Sequence, residues 1–314
     1  MSKTDVSEKQ PSRLAKAWDS DFAYAFRTSP VAIVAASVSL LIIAAAVLAP
    51  VIAPYDPFNP ASLNLMDGFT PPMEPNAFTG NTFMLGTDNQ GRDMFSAILY
   101  GARLSLFVGF AAVLFAMVLG ITAGLVAGYR GGWVDSLLMR IADVQLSFPS
   151  ILIALLVFGV ARGFIPPAYR ETMAVWVLVI AIGLSDWVQY ARVVRGATMV
   201  EKNKEYVQAA RVIGAHPVKI LVKHILPNVM GPVLVIGTIG LALAIIAEAT
   251  LSFLGVGVPP TQPSLGTLIR IGQQYLFSGE WWILLFPSLT LLALALAVNL
   301  LGDWLRDALN PRLR

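Results

Sequence analysis

EKNKEYVQAARVIGAHPVKILVKHILP, residues 201–227, is a basic stretch set between two long apolar runs, Met173–Val188 and Met230–Leu254. Glu201–Ile213 reads as a helix that Gly214 can end in a left-handed cap. Pro217 suits the first turn of a second helix, because its missing N–H is not needed there. That helix, Val218–Leu226, measures about 13 Å at 1.5 Å per residue, and Pro227 limits its continuation. The expected product is a helix–turn–helix elbow. Ala209 and Ala210 present small side chains that let another backbone approach. Val218, Leu221, Val222 and Ile225 are available for packing, and Lys219 and Lys223 for solvent or an acidic partner. A bias toward cytoplasmic positive charge accounts for the lysines. It does not account for the length of the stretch or its Gly and Pro punctuation, which point to a soluble partner docking there.

The chain has 314 residues, of which 56% are hydrophobic and 13% charged. Its mean hydropathy is +0.70. Soluble domains carry about 25% charged residues, so this composition belongs to an all-α protein embedded in a lipid membrane. The absence of cysteine excludes a disulfide framework, a thiolate metal site and a cysteine nucleophile. No basic stripe interleaved with aromatics suggests nucleic acid.

A hydrocarbon core of about 30 Å needs roughly 20 apolar residues per helix. That ruler predicts about six spans: Val31–Ala53, Leu104–Ala127, Val144–Ala161, Met173–Val188, Met230–Leu254 and Trp282–Leu301. The N-terminal arm, the loops after the second and fourth spans, and the tail hold 17 of the 22 basic residues. Those compartments share one side, which is therefore expected to be cytoplasmic, with both termini in it. The first apolar run is too long for a cleaved signal, and Pro50 follows its only small-residue exit, so it reads as a retained helix. Residues 1–30 then form a cytoplasmic arm and residues 31–314 the membrane domain. In the arm, Leu14, Trp18, Phe22 and Phe26 recur every fourth residue, a pattern for a short helix lying in the interface.

The external loop 54–102 is long and rich in Pro, Gly and Asn, and is expected to be turn-rich with little regular structure. Loops of that length are usually functional or partner-bound. Its last part, Leu85–Asp93, holds acids and Arg92 that can pair with one another and cap the second span. External loops 162–172 and 255–281 are broken by Pro166-Pro167 and Pro259-Pro260. Trp281 and Trp282 stand where an outer aromatic belt would. No internal repeat is visible, which disfavours the inverted-repeat architecture of many secondary transporters.

Within the spans, Gly120, Gly124 and Gly128 make a small-xxx-small stripe for close helix packing, either inside this subunit or against another. Glu248 is the one carboxylate well inside a span. It can line a pathway, or it can be satisfied by a hydroxyl such as Thr250 or Ser252. Asp143 and Asp186 lie near Arg140 and Arg192 and are expected to pair. Pro149 and Pro287 are expected to kink the helices around them. His216 and His224 are eight apart, which does not place them on one helical turn, so no metal site is expected. Gly183-Leu184-Ser185-Asp186 faintly resembles a serine-nucleophile turn. No histidine falls in any span to serve as its base, so no catalytic residue is expected.

Gln208-Ala209-Ala210, Gly214 and Leu226-Pro227, at this spacing, resemble the cytoplasmic loop of binding-protein-dependent ABC importer permeases. Gln208 stands where that family usually carries Glu, and His224 where it carries an aliphatic residue. Further matches follow in order. They are Leu85-Gly86-Thr87-Asp88 with Gly91-Arg92-Asp93, Gly101–Leu106, Asp143 with Ser147-Phe148-Pro149, Glu248–Gly255, and Gly302-Asp303 with Leu305–Pro311. Together they are similar to the second permease of dipeptide, oligopeptide and nickel importers. The resemblance implies an ABC importer type I permease fold in a bacterial inner membrane. It also implies a homologous second permease, two cytoplasmic ATP-binding subunits, and an extracytoplasmic solute-binding protein. The loop 200–227 would dock on the ATPase, and ATP and Mg²⁺ would be bound by those partners. Consistent with this, no G-x-x-x-x-G-K-[ST] phosphate loop occurs in the chain. Peptide is the expected cargo, with nickel as the alternative. The rival class is a stand-alone secondary transporter or channel. It predicts ionisable groups spread through the spans and leaves the elbow without a purpose.

Overall fold

The computed structural model describes residues 21–57, 59, 63–262 and 264–308. Leu14 and Trp18 of the expected interfacial helix, and Asn310 and Pro311 of the last family motif, lie outside the described residues. Helix α1, Asp21–Arg27, ends at a turn, and Phe26 packs edge-on against Trp304, ring centroids 5.2 Å apart. Ser29 then caps α2, Pro30–Val47, by accepting the Ala32 N–H at 3.3 Å, with Pro30 in the first turn. A short α3, Ala49–Ile52, follows. Asp93 caps α4, Met94–Arg130, by accepting the Ser96 N–H at 2.8 Å. At 37 residues α4 is about 56 Å long, so it crosses the membrane and projects beyond it.

Then come α5, Gly132–Leu146, α6, Ser150–Phe164, and α7, Arg170–Glu201. The elbow follows: α8, Glu205–Val212, α9, Pro217–Ile220, and a π-helical turn, Leu221–Ile225. That turn runs without a break into α10, Leu226–Phe253. Helices α11, Leu265–Tyr275, and α12, Trp282–Ala308, complete the described chain.

Among the described residues five helices are long and apolar enough to cross a membrane, six if α5 and α6 are counted as one broken span. That pair bends by 99° at the break. The expected third span, Val144–Ala161, straddles the break and is therefore not a single straight helix. Pro149 disfavours the helical conformation of Phe148, and α6 restarts only at Ser150. At 15 residues α6 is about 22 Å long, short of the hydrocarbon thickness.

The core is built on α4 against α7. A Cβ on Gly120 would stand 2.5 Å from the Trp187 carbonyl oxygen. On Gly124 it would stand 2.5 Å from that of Ala191, and on Gly128 2.8 Å from that of Arg195. The glycine stripe thus faces α7 of the same subunit, and the alternative of a partner permease on that face does not apply. Close backbone approach is the main source of helix association in lipid, where burial adds no hydrophobic gain. The charged ends reinforce it. Asp135 on α5 pairs with Arg195, and Lys202 Nζ donates to the Gly128 carbonyl at 2.7 Å, placing a cation at the C-terminal end of α4.

The external loop is more ordered than its composition suggests. Asp88 and Arg92 form a wholly buried ion pair at 2.6 Å. Asp67, also buried, accepts from Thr79 Oγ1 and from Asn81 Nδ2. The Thr87 carbonyl accepts the Trp282 indole N–H at 3.0 Å. Trp282 is therefore a buried pin between the loop and α12 and not a belt residue, while Trp281 remains exposed. The loop 255–281 also differs from expectation, because it contains α11. Ser264 caps this helix, and its buried side carries Leu265, Leu268 and Gly272.

Candidate functional site: the cytoplasmic elbow

The elbow starts later than its sequence suggests. Helix α7 runs on to Glu201, and α8 covers only Glu205–Val212. Gly214 adopts φ +78°, and the Ala215 N–H returns to the Ala210 carbonyl at 3.0 Å, a left-handed helix stop. His216 Nδ1 accepts the Val218 N–H at 3.3 Å and so caps α9, with Pro217 in its first turn. Pro227 does not end the second helix. It has no N–H to donate and its ring presses on the turn before it, and the π-helical turn Leu221–Ile225 absorbs both defects. The chain from Pro217 to Phe253 is one 37-residue helical run.

This continuity sets the faces of the elbow. Val207, Ala210, Ile220 and Ile225 are buried in one cluster with Tyr190 and Val194 of α7 and Val229 and Val233 of α10. Of the residues read as available for packing, Ile225 is buried and Val218 and Val222 are exposed, while Ile220 is buried beside Ile225. Ile220 and Ile225, five apart, both face inward because the π turn carries an extra residue. The outer face presents Gln208, Ala209 and Gly214, with Val212 87% and Ile213 82% exposed at the tip. Nothing lies within 4 Å of a Cβ placed on Gly214. Leu226 is half-buried and Pro227 exposed at the joint with α10. The structure thus brings Gln208, Ala209 and Gly214 to one outer surface and turns Ala210 into the core.

Residues not singled out in the sequence hold the elbow in place. Tyr206 Oη donates to the Glu201 carboxylate, whose other oxygen pairs with Lys204 at 2.6 Å. Asn228 Nδ2 donates to Tyr206 Oη at 3.0 Å and to the His224 carbonyl at 2.7 Å. Burial first, and the Glu201 carboxylate second, hold the Tyr206 hydroxyl above the usual phenol range, so it stays a donor. Arg211 stacks over the Tyr129 ring at 5.0 Å. Gln208 Nε2 donates to the Asn203 carbonyl at 3.0 Å, a bond that a glutamate carboxylate in its place has no proton to make. A Tyr near the start of the elbow and an Asn just after Pro227 were the available sequence signals for this lock.

Glu248 lies on α10 and is completely buried. It accepts from Ser252 Oγ at 2.7 Å, and the hydroxyls of Ser105 and Ser264 also lie beside its carboxyl. Its second oxygen has no partner of good geometry. Thr250 turns away and bonds to the Ile246 carbonyl at 2.7 Å. Of the expected ion pairs, Asp143 joins Arg192, whereas Asp186 meets only the Ser185 hydroxyl, at 3.4 Å. Ser185 Oγ donates back to the Ile182 carbonyl at 2.7 Å, as helix hydroxyls commonly do.

Residues 120–314 match the family model described as binding-protein-dependent transport system inner membrane component. Residues 17–72 match the N-terminal TM domain of oligopeptide transport permease C. The dipeptide transport system permease protein DppC of Haemophilus influenzae is 36% identical over 296 residues, covering 94% of this chain and 95% of that one. The di/tripeptide transport system permease protein DppC of Pseudomonas aeruginosa is 37% identical and covers 99% and 96%. The oligopeptide transport system permease protein OppC of Bacillus subtilis is 37% identical and covers 92% and 88%. In fold, a chain of the inward-facing MetNI methionine ABC transporter superposes with a TM-score of 0.54 at 20% identity, over 69% of this chain and 98% of that one. With its helical order, its elbow and these matches, the chain belongs to the family of binding-protein-dependent transport system inner membrane components, as a multi-pass permease subunit of an ABC importer.

Proposed function

We propose that this permease carries peptides, the cargo named for the relatives it resembles, and that its elbow is the surface gripped by a cytoplasmic ATP-binding subunit. The observation that carries this reading is the asymmetry of the elbow. Its inner face is part of the core of α7 and α10, and its outer tip is apolar and exposed. An exposed apolar tip on a soluble-side loop is costly unless a partner covers it. A tip rigidly joined to a membrane-crossing helix transmits any displacement imposed on it. The proposed assembly has this chain, a homologous second permease, two ATP-binding subunits that hold ATP and Mg²⁺, and an extracytoplasmic binding protein. Both termini and the elbow lie in the cytoplasm. The charge distribution supports this orientation.

Purification of the tagged chain from its own membranes, followed by identification of what accompanies it, tests the assembly. Two ATP-binding subunits and a second permease are the expected companions. A chain recovered as a homogeneous, transport-competent oligomer of itself alone would contradict the proposal. Uptake assays with dipeptides and nickel in parallel test the cargo.

A further inference from the structure

The outer ends of α6 and α7 and the α10–α11 connection enclose a cavity of about 180 Å³. Its walls carry three guanidinium groups, Arg162, Arg170 and Arg270, and one carboxylate, Glu171. None of the three arginines forms an ion pair among the described residues. Arg170 Nε donates to the Ile165 carbonyl at 3.2 Å, which aims its head and leaves the terminal nitrogens free of any protein partner among the described residues. Arginines at a membrane boundary ordinarily extend their heads to water, and exposed Arg162 can be read that way. Arg270 differs, because it is half-buried and its Nε is buried with no hydrogen-bond partner among the described residues.

Arg270 rests against the stop of α10. Gly255 has φ +79°, and a Cβ there would stand 2.3 Å from Arg270 Nη1. The left-handed turn ends α10, with the Val256 N–H on the Leu251 carbonyl at 3.0 Å, and the missing side chain leaves room there for the guanidinium. A fourth arginine braces the wall. Arg92, fixed by Asp88, donates Nη1 to the Pro260 carbonyl at 3.0 Å, and Pro260 lines the cavity. Three cations facing one carboxylate leave the cavity two charges positive. Its volume falls below the roughly 300–1,000 Å³ of whole-ligand pockets, so it suits one end group and not an entire solute.

We propose that this cavity is an oxyanion site that takes a single carboxylate or phosphate group in the fork geometry that guanidinium groups favour. The group has two sources at this height in the molecule: the free carboxylate of a solute, or the phosphate of a lipid headgroup. The site goes beyond the proposed assembly and does not require the cargo to be peptide.

The test is arginine footprinting of the complete purified importer in lipid nanodiscs, with phenylglyoxal and mass spectrometry. Arg103, exposed on the same side, serves as the reference. Dialanine, dialanine amide and acetate are the soluble probes, and phosphatidylglycerol is compared with phosphatidylcholine discs as the lipid probe. Modification of Arg270 is expected to slow about tenfold when its oxyanion is present, as for a charge-assisted hydrogen bond, with Arg103 unchanged. Protection by dialanine and acetate but not by the amide assigns the site to a solute carboxylate. Protection that depends on phosphatidylglycerol assigns it to lipid. Gly255→Ala, which displaces the guanidinium without removing it, is expected to abolish protection while the complex still assembles. An Arg270 that reacts at one rate in every probe and every disc, with Gly255→Ala indistinguishable from the parent, overturns the proposal.

Discussion

Asn228 Nδ2 donates to Tyr206 Oη at 3.0 Å, which ties the first helix of the elbow to the base of α10 across Pro227. The same amide satisfies the His224 carbonyl in the π-helical turn. A single side chain thus bonds to the π-helical turn and joins the two arms of the elbow. This link holds the two arms of the elbow together.

Removing that link should uncouple the machine before it unfolds it. Asn228→Ala or Tyr206→Phe deletes one or two side-chain hydrogen bonds, each worth about 1 kcal/mol. Membrane insertion and assembly are expected to survive. Solute-stimulated ATP hydrolysis in reconstituted vesicles is expected to fall several-fold relative to basal hydrolysis. Unchanged stimulation would show that the elbow transmits force without this link.

Gly214→Trp probes the tip itself. Because nothing surrounds that Cβ, the bulky side chain projects outward, at the cost of holding a non-glycine residue at positive φ, about 1 kcal/mol. The protein is expected to insert normally and to lose coupled ATP hydrolysis. Normal coupling would move the docking surface elsewhere.

The glycine stripe makes a contrasting case. Gly124→Leu drives a side chain into the Ala191 carbonyl and the Val194 side chain and should cost at least about 2 kcal/mol by overpacking. Gly159→Leu meets open space on α6 and should be tolerated. Thermal unfolding of the two variants in detergent separates them. Equal melting temperatures would contradict the packing of α4 against α7.

At Glu248 burial and a serine hydroxyl decide the outcome. Glu248→Gln keeps an acceptor for Ser252 and should shift stability by no more than about 1 kcal/mol, with uptake retained. Glu248→Ala leaves a cavity and an unpartnered hydroxyl and should cost about 2–5 kcal/mol. Selective loss of cationic solutes in Glu248→Gln, with stability intact, would place the residue on the pathway.

Much of the fold was legible because the membrane imposes its length on apolar runs. The stops that depend on single residues were legible too: Gly214 at positive φ, Ser29 with Pro30 at the start of α2, and Asp93 capping α4. What could not be read depends on compensation between residues far apart in the chain. Pro227 looks like a helix end until the π turn and Asn228 are placed beside it. Ile220 and Ile225, five apart, share the buried face only because of that turn. In the external loop the pairing of Arg92 with an acid of Leu85–Asp93 was legible, and Asp88 is that acid, but the buried contacts of Asp67 with Thr79 and Asn81 were not, because no periodicity marks them. Helix α11 did carry a signal, Ser264 followed by Leu265 and Leu268, but its small size and glycines hid it among turn residues. The elbow residues Gln208, Ala209 and Gly214 were legible as a surface. The Glu201–Tyr206–Asn228 lock was not, since its members span 27 positions and meet only when the elbow folds.

The most direct measurement is uptake of a radiolabelled dipeptide into vesicles holding either this chain alone or the complete set of partners with ATP inside. Accumulation is expected only with the complete set and only with hydrolysable ATP, and it should collapse in Asn228→Ala. Accumulation by the chain alone, or accumulation indifferent to ATP, would contradict the elbow as the point where an external motor drives this permease.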